Sequence, residues 1–107
     1  MLSKNKRLNK AKFKEILKKS KKIEGENFSY RVQFIKNGQE PRFSVVVSSK
    51  VSPKAVVRNK IRRQIYEILG KTALNGQISA IVYVKKEALK LDFRAMNKEI
   101  SGVLGKI

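Results

Sequence analysis

The sequence contains no cysteine and no histidine, the side chains that most often bind zinc and, for histidine, transfer protons near neutral pH. Without cysteine the chain can form neither disulfide bonds nor thiolate metal sites, which fits a reducing cytosol. Acidic residues are scarce, eight in all, and their spacing suggests neither a paired acid and base nor a metal cage. We therefore interpret the polypeptide as non-catalytic and expect no metal site in it.

Long hydrophobic runs are also lacking. The longest apolar run, residues 80–84, is far shorter than the roughly 20 residues that a membrane-spanning helix needs. The basic N-terminus is followed by no apolar stretch of signal-peptide length. We expect a soluble, cytoplasmic protein with a single domain over residues 1–107, since a chain of this length supports one modest core.

Positive charge, by contrast, is abundant. Lysine and arginine number 26 against the eight acidic residues, which gives a formal net charge of +18. Because 41% of the residues are hydrophobic, this charge belongs to a folded domain and not to a disordered basic tail. A field of this size repels itself unless a polyanion binds it, so nucleic acid is the first candidate partner and an anionic membrane surface the second.

Hydrophobic periodicity predicts a helix in the first part of the chain. Residues 1–8 form a basic arm, and Asn9 can cap the helix that follows it. An apolar stripe at i, i+3 and i+4 begins at Phe13, and the helix should end near Ser20.

Two strands should follow. Residues 28–34 alternate between apolar and polar, and residues 42–49 alternate again after the turn signal Asn37-Gly38. We expect the two strands to form a hairpin with a loop longer than two residues.

The second half of the chain predicts a helix, a strand and a last helix. Ser52-Pro53 has the order of a cap and a first helical residue, and Gly70 is a suitable C-terminal cap. Residues 77–85 are apolar at nearly every position, which favours a central strand covered on both faces. Asp92 can cap the last helix. The predicted fold is thus a two-layer α/β (α+β) sandwich with the order helix-strand-strand-helix-strand-helix.

The second helix carries a row of positive charge. Lys54, Arg58 and Arg62 are spaced at i, i+4 and i+8, and Asn59 and Arg63 form a second ridge. No acidic residue lies between positions 50 and 63. Like charges at this spacing destabilise an isolated helix by a few tenths of a kcal/mol per pair, a cost that binding to phosphates can offset. A basic helix face is often only solvated, but the overall charge here favours nucleic acid.

Residues 55–63, Ala-Val-Val-Arg-Asn-Lys-Ile-Arg-Arg, closely resemble the signature of the bacterial ribonuclease P protein family. In that signature an Arg-Asn pair is followed, three residues later, by two basic residues within a helix. The resemblance covers roughly residues 5–105, and Lys6-Arg7-Leu8 followed by Phe13 is similar to the opening of the family. It implies a small mixed sheet with a left-handed crossover around the signature helix.

The resemblance also implies a function. The protein would be the accessory subunit of the ribonucleoprotein endonuclease ribonuclease P, in which the RNA partner uses Mg²⁺ to remove the 5′ leader of precursor tRNA. The ion would be held mainly by the RNA, and no small-molecule cofactor is implied. The residues that we expect at the interface with the catalytic RNA are Lys50, Lys54, Arg58, Asn59, Lys60, Arg62 and Arg63.

A second RNA surface is implied by the resemblance: a cleft between the first helix and the sheet that binds the single-stranded leader. Its residues here would be Phe13, Leu17 and Arg31. Relatives often have a second aromatic residue at the position of Leu17 and a strand aromatic at the position of Arg31. Leader binding would therefore depend less on stacking, worth about 1–3 kcal/mol per base, and more on charge. From the residues alone we interpret Leu17, Tyr30 and Tyr83 as mostly core, and Phe13 as either core or cleft.

The residues leave two alternatives open. A structural ribosomal-type protein that binds ribosomal RNA would share the charge and the mixed fold but have no role in tRNA cleavage. A peripheral membrane protein is the weaker alternative, because the basic row lies beside a core stripe and not opposite an exposed aromatic one.

Overall fold

The computed structural model describes residues 10–35, 42–72 and 78–104. The helices and strands, in chain order, are α1 (Lys10–Lys19), β1 (Lys21–Glu24), β2 (Phe28–Phe34), β3 (Phe43–Val46), α2 (Ala55–Thr72), β4 (Ile78–Val84), a short 3₁₀ helix (Lys86–Lys90) and α3 (Phe93–Leu104). The predicted order of helices and strands is confirmed, with β1 and the 3₁₀ helix in addition. The predicted basic arm, the cap at Asn9 and the Asn37-Gly38 turn lie outside the described residues.

The four strands form one mixed sheet in the order β1-β2-β4-β3. β2 is antiparallel to both β1 and β4, whereas β3 is parallel to β4. The predicted hairpin of β2 with β3 is therefore wrong, because β4 lies between them. The physical reason is the composition of β4: six of its seven residues are buried, and only a central position covers both faces of such a strand.

The parallel pair β3–β4 requires a crossover connection, and α2 provides it. The left-handed sense of this crossover stays a prediction from the resemblance. The central position that we predicted for β4 is confirmed, as is the mixed character of the small sheet.

The two faces of the sheet are covered by different helices. The main core lies under α2 and α3, where alternate residues of the strands point toward the helices. Its fully buried members include Phe28, Tyr30, Phe43, Ile65 and Ile100. On the opposite face, α1 packs on β2 and β4, and the buried side chains Ile16 and Ile81 fill this smaller contact.

The start of α2 lies two residues later than the sequence suggested. The Ser52 hydroxyl accepts a hydrogen bond from the Lys54 backbone N–H at 3.3 Å, so Ser52 does act as a cap. The first helical hydrogen bond, however, runs from the Arg58 N–H to the Lys54 carbonyl at 3.2 Å, and the helix begins at Ala55. Pro53 thus belongs to the preceding turn and is not the first helical residue.

The other predicted helix boundaries had mixed outcomes. Gly70 does not end α2, which continues to Thr72. The cap at Asp92 is confirmed, because its Oδ1 accepts a hydrogen bond from the Ala95 N–H at 2.8 Å.

A tight connection joins β1 to β2. The Gly25 N–H donates to the Phe28 carbonyl at 2.9 Å, and the Lys85 ammonium donates to the Gly25 carbonyl at 2.7 Å. A Cβ atom at Gly25 would lie only 2.6 Å from the Phe28 carbonyl oxygen, so the turn requires a residue without a side chain. Asn27 is fixed from the other side, because its side-chain amide donates to the Glu99 carboxylate of α3 at 2.6 Å.

Candidate nucleic-acid interface

The basic residues of α2 fall into two groups according to their burial. Ile61 and Ile65 are buried in the core, and the 3.6-residue period of the helix then decides the position of every other side chain. Asn59, Lys60 and Arg63 lie exposed on the outer side, whereas Arg58 and Arg62 are half-buried beside the core stripe. The two ridges predicted from the spacing are therefore present.

One residue of the outer side was missed by the sequence reasoning. Val56 is 80% exposed, more than any other large apolar side chain that the structure describes. It precedes Lys60 by four residues and Arg63 by seven, so all three lie on one helix face. The only signal in the sequence was its position outside the apolar stripe of α2.

Two arginines of the row already use part of their hydrogen-bonding capacity inside the protein. The Arg58 Nη1 donates to the backbone carbonyl of Ser52 at 2.8 Å. The Arg62 Nη1 donates to the side-chain oxygen of Asn59 at 2.7 Å, which leaves the Asn59 amide nitrogen as a donor toward solvent. Since a guanidinium has five N–H donors, both arginines retain donors for a phosphate.

Lys50 and Lys54 are supplied by the turn that connects β3 to α2. Val51 and Ser52 are buried there, at 4% and 7% exposure, and the Val51 N–H donates to the Ser48 carbonyl at 3.0 Å. Both lysines point to solvent. The turn therefore places two ammonium groups beside the N-terminal end of α2, where the helix dipole adds further positive potential.

The positive charge of this surface is not neutralised by nearby acids. The ion pairs that the structure shows among the described residues lie at the β1–β2 turn, where Glu24 contacts Lys85 and Lys22, and Glu26 contacts Lys90. The hydrogen bond from Lys85 lowers the pKa of the Glu24 carboxyl, so this acid stays ionised at neutral pH. We name the residues of the uncompensated surface the α2 basic surface, namely Lys50, Lys54, Arg58, Asn59, Lys60, Arg62 and Arg63.

The second predicted site lies on the face of the sheet that α1 covers. Arg31 is half-buried and stands in register between Lys22 of β1 and Ile81 of β4. Phe13 is half-buried on α1, and Leu17 is 38% exposed. Phe13, Leu17 and Arg31 thus share one side of the sheet, and the interpretation of Leu17 as core is wrong.

Two further residues belong to this side. Tyr83 follows the buried Ile81 by two positions on β4, so it faces α1 and is half-buried, whereas Tyr30 faces the main core and is fully buried. Arg42, just before β3, lies on the same side, since its backbone N–H donates to the Ser79 hydroxyl at 3.0 Å. Sequence reasoning missed both, because β4 is apolar on both faces and its alternation did not distinguish them. We name Phe13, Leu17, Arg31, Arg42 and Tyr83 the α1-side surface.

Neither surface contains a cluster suited to a metal ion. Over residues 10–35, 42–72 and 78–104, no three acidic side chains lie close enough together to form a site. The described side chains therefore do not fit a Mg²⁺ ion, which prefers several oxygen ligands in octahedral geometry. No helix within these ranges has the length and apolar character that crossing a bilayer requires.

Comparison with known proteins identifies a single family. The sequence model of the family described as Ribonuclease P matches residues 2–107. The chain is 34% identical to the ribonuclease P protein component of Mycoplasma mycoides over 97% of its own length and 98% of the relative, and 28% identical to that of Pseudanabaena over 88% and 83%. A mutant ribonuclease P protein from Staphylococcus aureus has a similar structure, with a TM-score of 0.84 and 27% identity over 95% of this chain and 87% of that one.

Proposed function

The chain belongs to the bacterial ribonuclease P protein family, the accessory subunit of a ribonucleoprotein endoribonuclease, and from this premise we propose that its two surfaces bind two different RNAs. The α2 basic surface binds the catalytic RNA. The α1-side surface binds the single-stranded 5′ leader of precursor tRNA. The observation that carries the first assignment is the row of exposed cations on α2, without a neighbouring acid to neutralise it.

The α2 basic surface has the chemistry that a folded RNA requires. Lys60 and Arg63 are exposed and free to contact phosphates, and Arg62 keeps donors beyond the one bound to Asn59. Guanidinium groups bind phosphate oxygens in a bidentate manner, and an amide such as that of Asn59 can bind a 2′-hydroxyl or a base edge. The buried side of α2 holds these groups in a fixed row, which lowers the entropy lost on binding.

The α1-side surface has the chemistry of a single-strand site. Phe13 and Tyr83 provide aromatic faces, which stack on bases of any sequence, and Arg31 and Arg42 provide positive charge for the backbone. Leu17 presents an exposed apolar side chain on the same helix as Phe13. Because Leu17 and Arg31 replace aromatic residues, we infer that this chain binds the leader with less stacking and more charge.

The chemical step belongs, in this proposal, to the RNA partner. Mg²⁺ bound there activates water for attack on the phosphodiester and stabilises the leaving oxygen. The protein's own contribution is to hold the leader and the catalytic RNA in one geometry, which reduces the entropic barrier to cleavage. The complex would act in the cytoplasm, where precursor tRNA is processed.

Reconstitution tests this function. The purified protein is mixed with a bacterial ribonuclease P RNA at a Mg²⁺ concentration where that RNA alone is slow, and release of the 5′ leader from precursor tRNA is measured. We expect the protein to accelerate cleavage, because it neutralises phosphates that otherwise repel each other. Cleavage by the protein alone would contradict the proposal, and so would the absence of any acceleration, the result expected of a ribosomal-type RNA-binding protein.

The leader site is tested by replacing Phe13 with alanine. We expect weaker binding of precursor tRNA to the holoenzyme, by about 5-fold or more if one base stacks on this ring at about 1–3 kcal/mol. Binding of mature tRNA, which has no leader, should not change. Leu89→Ala is the matched control, since Leu89 is an exposed apolar residue of the 3₁₀ helix, outside both surfaces. An equal loss for precursor and mature tRNA would reject the leader assignment.

A further inference from the structure

The turn of residues 48–54 is the part of the α2 basic surface that lies outside the helix. Its main chain is folded inward, because Val51 and Ser52 are buried, while Lys50 and Lys54 are exposed. Within the turn the structure shows two short-range hydrogen bonds, from the Val51 N–H to the Ser48 carbonyl at 3.0 Å and from the Lys54 N–H to the Ser52 hydroxyl at 3.3 Å. A segment held only by these contacts would leave the two lysines poorly fixed relative to α2.

Arg58 supplies the contact that ties this turn to the helix. Its Nη1 donates to the Ser52 carbonyl at 2.8 Å, across six residues of the chain. Its backbone N–H donates to the Lys54 carbonyl at 3.2 Å. Ser52 is only 7% exposed, so water has little access to its carbonyl, and a buried carbonyl without a donor is costly. One residue of α2 thus binds the turn through both its side chain and its main chain.

Arg63 differs from Arg58 in this respect. It is exposed on the outer side of α2, and the structure shows no hydrogen bond or ion pair to its side chain within the described ranges. A phosphate can therefore bind Arg63 without competing with an internal contact. Arg58, which is half-buried, has to keep its bond to Ser52 if the turn is to stay in place.

We propose that Arg58 is a positioning residue, which fixes the turn of residues 48–54 so that Lys50 and Lys54 bind the same RNA as the outer side of α2. This inference rests on the proposed function of the α2 basic surface. The physical reason is that the two lysines contribute fully to affinity only if their positions are fixed before binding. Loss of Arg58 removes the fixed position of both lysines together, whereas loss of Arg63 removes one independent contact.

Double-mutant cycles measure this coupling. The affinity of the protein for a ribonuclease P RNA is determined over a salt series, and the pair Lys50→Ala/Lys54→Ala is introduced into wild type, Arg58→Ala and Arg63→Ala. At about 0.15 M salt, loss of two phosphate contacts lowers affinity by roughly 14- to 30-fold, from about 0.7–0.9 of a log–log slope unit per contact. We expect that factor in wild type and in Arg63→Ala, and a loss of less than about 3-fold in Arg58→Ala.

The salt dependence of the single variants gives an independent readout. Arg58→Ala should flatten the log–log slope by about 1.4–1.8 units, because two lysine contacts weaken, and Arg63→Ala by about 0.7–0.9. Amide hydrogen exchange of the free protein follows the turn directly. Exchange in residues 48–54 should become faster in Arg58→Ala alone, while the amides of β4 keep their protection and show that the fold is intact.

The outcomes separate this inference from the function on which it rests. An equal loss from the lysine pair in the Arg58→Ala and Arg63→Ala backgrounds would overturn the positioning role and leave the α2 basic surface as the interface. Unchanged amide exchange in the turn of Arg58→Ala would overturn the positioning role as well. If neither the lysine pair nor Arg63→Ala alters affinity, the proposed interface itself is wrong, and the inference fails with it.

Discussion

Removing the two most accessible cations of α2 should weaken RNA binding by an amount that their exposure allows us to calculate. Lys60 and Arg63 are exposed and lie on adjacent turns of the helix, and within the described ranges their charged groups make no contact that truncation to alanine would remove from the fold. Each can therefore account for one phosphate contact. The double variant Lys60→Ala/Arg63→Ala should flatten the dependence of log affinity on log salt concentration by about 1.4–1.8 units.

The same slope predicts the loss of affinity at any salt concentration. The dissociation constant should rise by roughly 14- to 30-fold at about 0.15 M salt, and by roughly 65- to 220-fold at about 0.05 M salt. Filter binding of labelled catalytic RNA over this range, at constant Mg²⁺, measures both quantities. Thermal unfolding should hardly change, because surface substitutions of this kind alter stability by no more than about 0.5 kcal/mol.

A matched control separates local contacts from the overall positive field. Lys86→Ala/Lys98→Ala removes the same number of charges from exposed positions on the 3₁₀ helix and α3, outside both RNA surfaces. We expect little change in its salt slope. If the two double variants lose affinity equally, the net charge of the protein and not the row on α2 determines binding. An unchanged slope in Lys60→Ala/Arg63→Ala would refute the α2 interface outright.

The remaining predictions concern the β1–β2 turn. Gly25→Ala should lower the free energy of unfolding by about 1–3 kcal/mol, because the added Cβ meets the Phe28 carbonyl oxygen, whereas Gly102→Ala, where a Cβ meets nothing within 4 Å near the end of α3, should raise it by about 0.5–1 kcal/mol. Urea denaturation of both variants checks this pair, and a loss of stability in both would contradict the steric reasoning. Since its partner Lys85 lowers the pKa of Glu24, the ion pair contributes stability above the pKa of the unfolded chain and loses it as the pH falls through the folded pKa. In an NMR titration Lys85→Met should shift the pKa of Glu24 upward, and an unchanged value would show that the contact does not persist in solution.

Several features of the fold were predictable from local sequence, because they depend on the period of the backbone. The apolar stripe of α2 and the row of cations beside it follow from the 3.6-residue repeat, and both are present as predicted. The cap at Asp92 was predictable in the same way, since a capping side chain and the N–H it binds are three residues apart. The family signature, the absence of cysteine and histidine, and the net charge were likewise visible without a structure.

The strand order was not predictable from local sequence. β2 and β3 are neighbours along the chain and have hairpin-like alternation, yet β4 separates them in the sheet. The outcome depends on competition between distant strands for the central position, and β4 occupies it because both of its faces are apolar. The extent of α2 past Gly70 reflects a similar effect, since tertiary packing can override the local preference of a glycine to end a helix.

The sequence by itself thus determined which residues carry charge and which side of each helix they occupy. Only the tertiary structure decided which of those charges face solvent and which are used inside the protein, as the bond from Arg58 to the Ser52 carbonyl demonstrates. It also decided that Leu17 and Tyr83 lie on the α1 side of the sheet and not in the main core. The physical reason is that helical and strand periods are set by neighbouring residues, whereas exposure and hydrogen-bond partners depend on segments that meet only after folding.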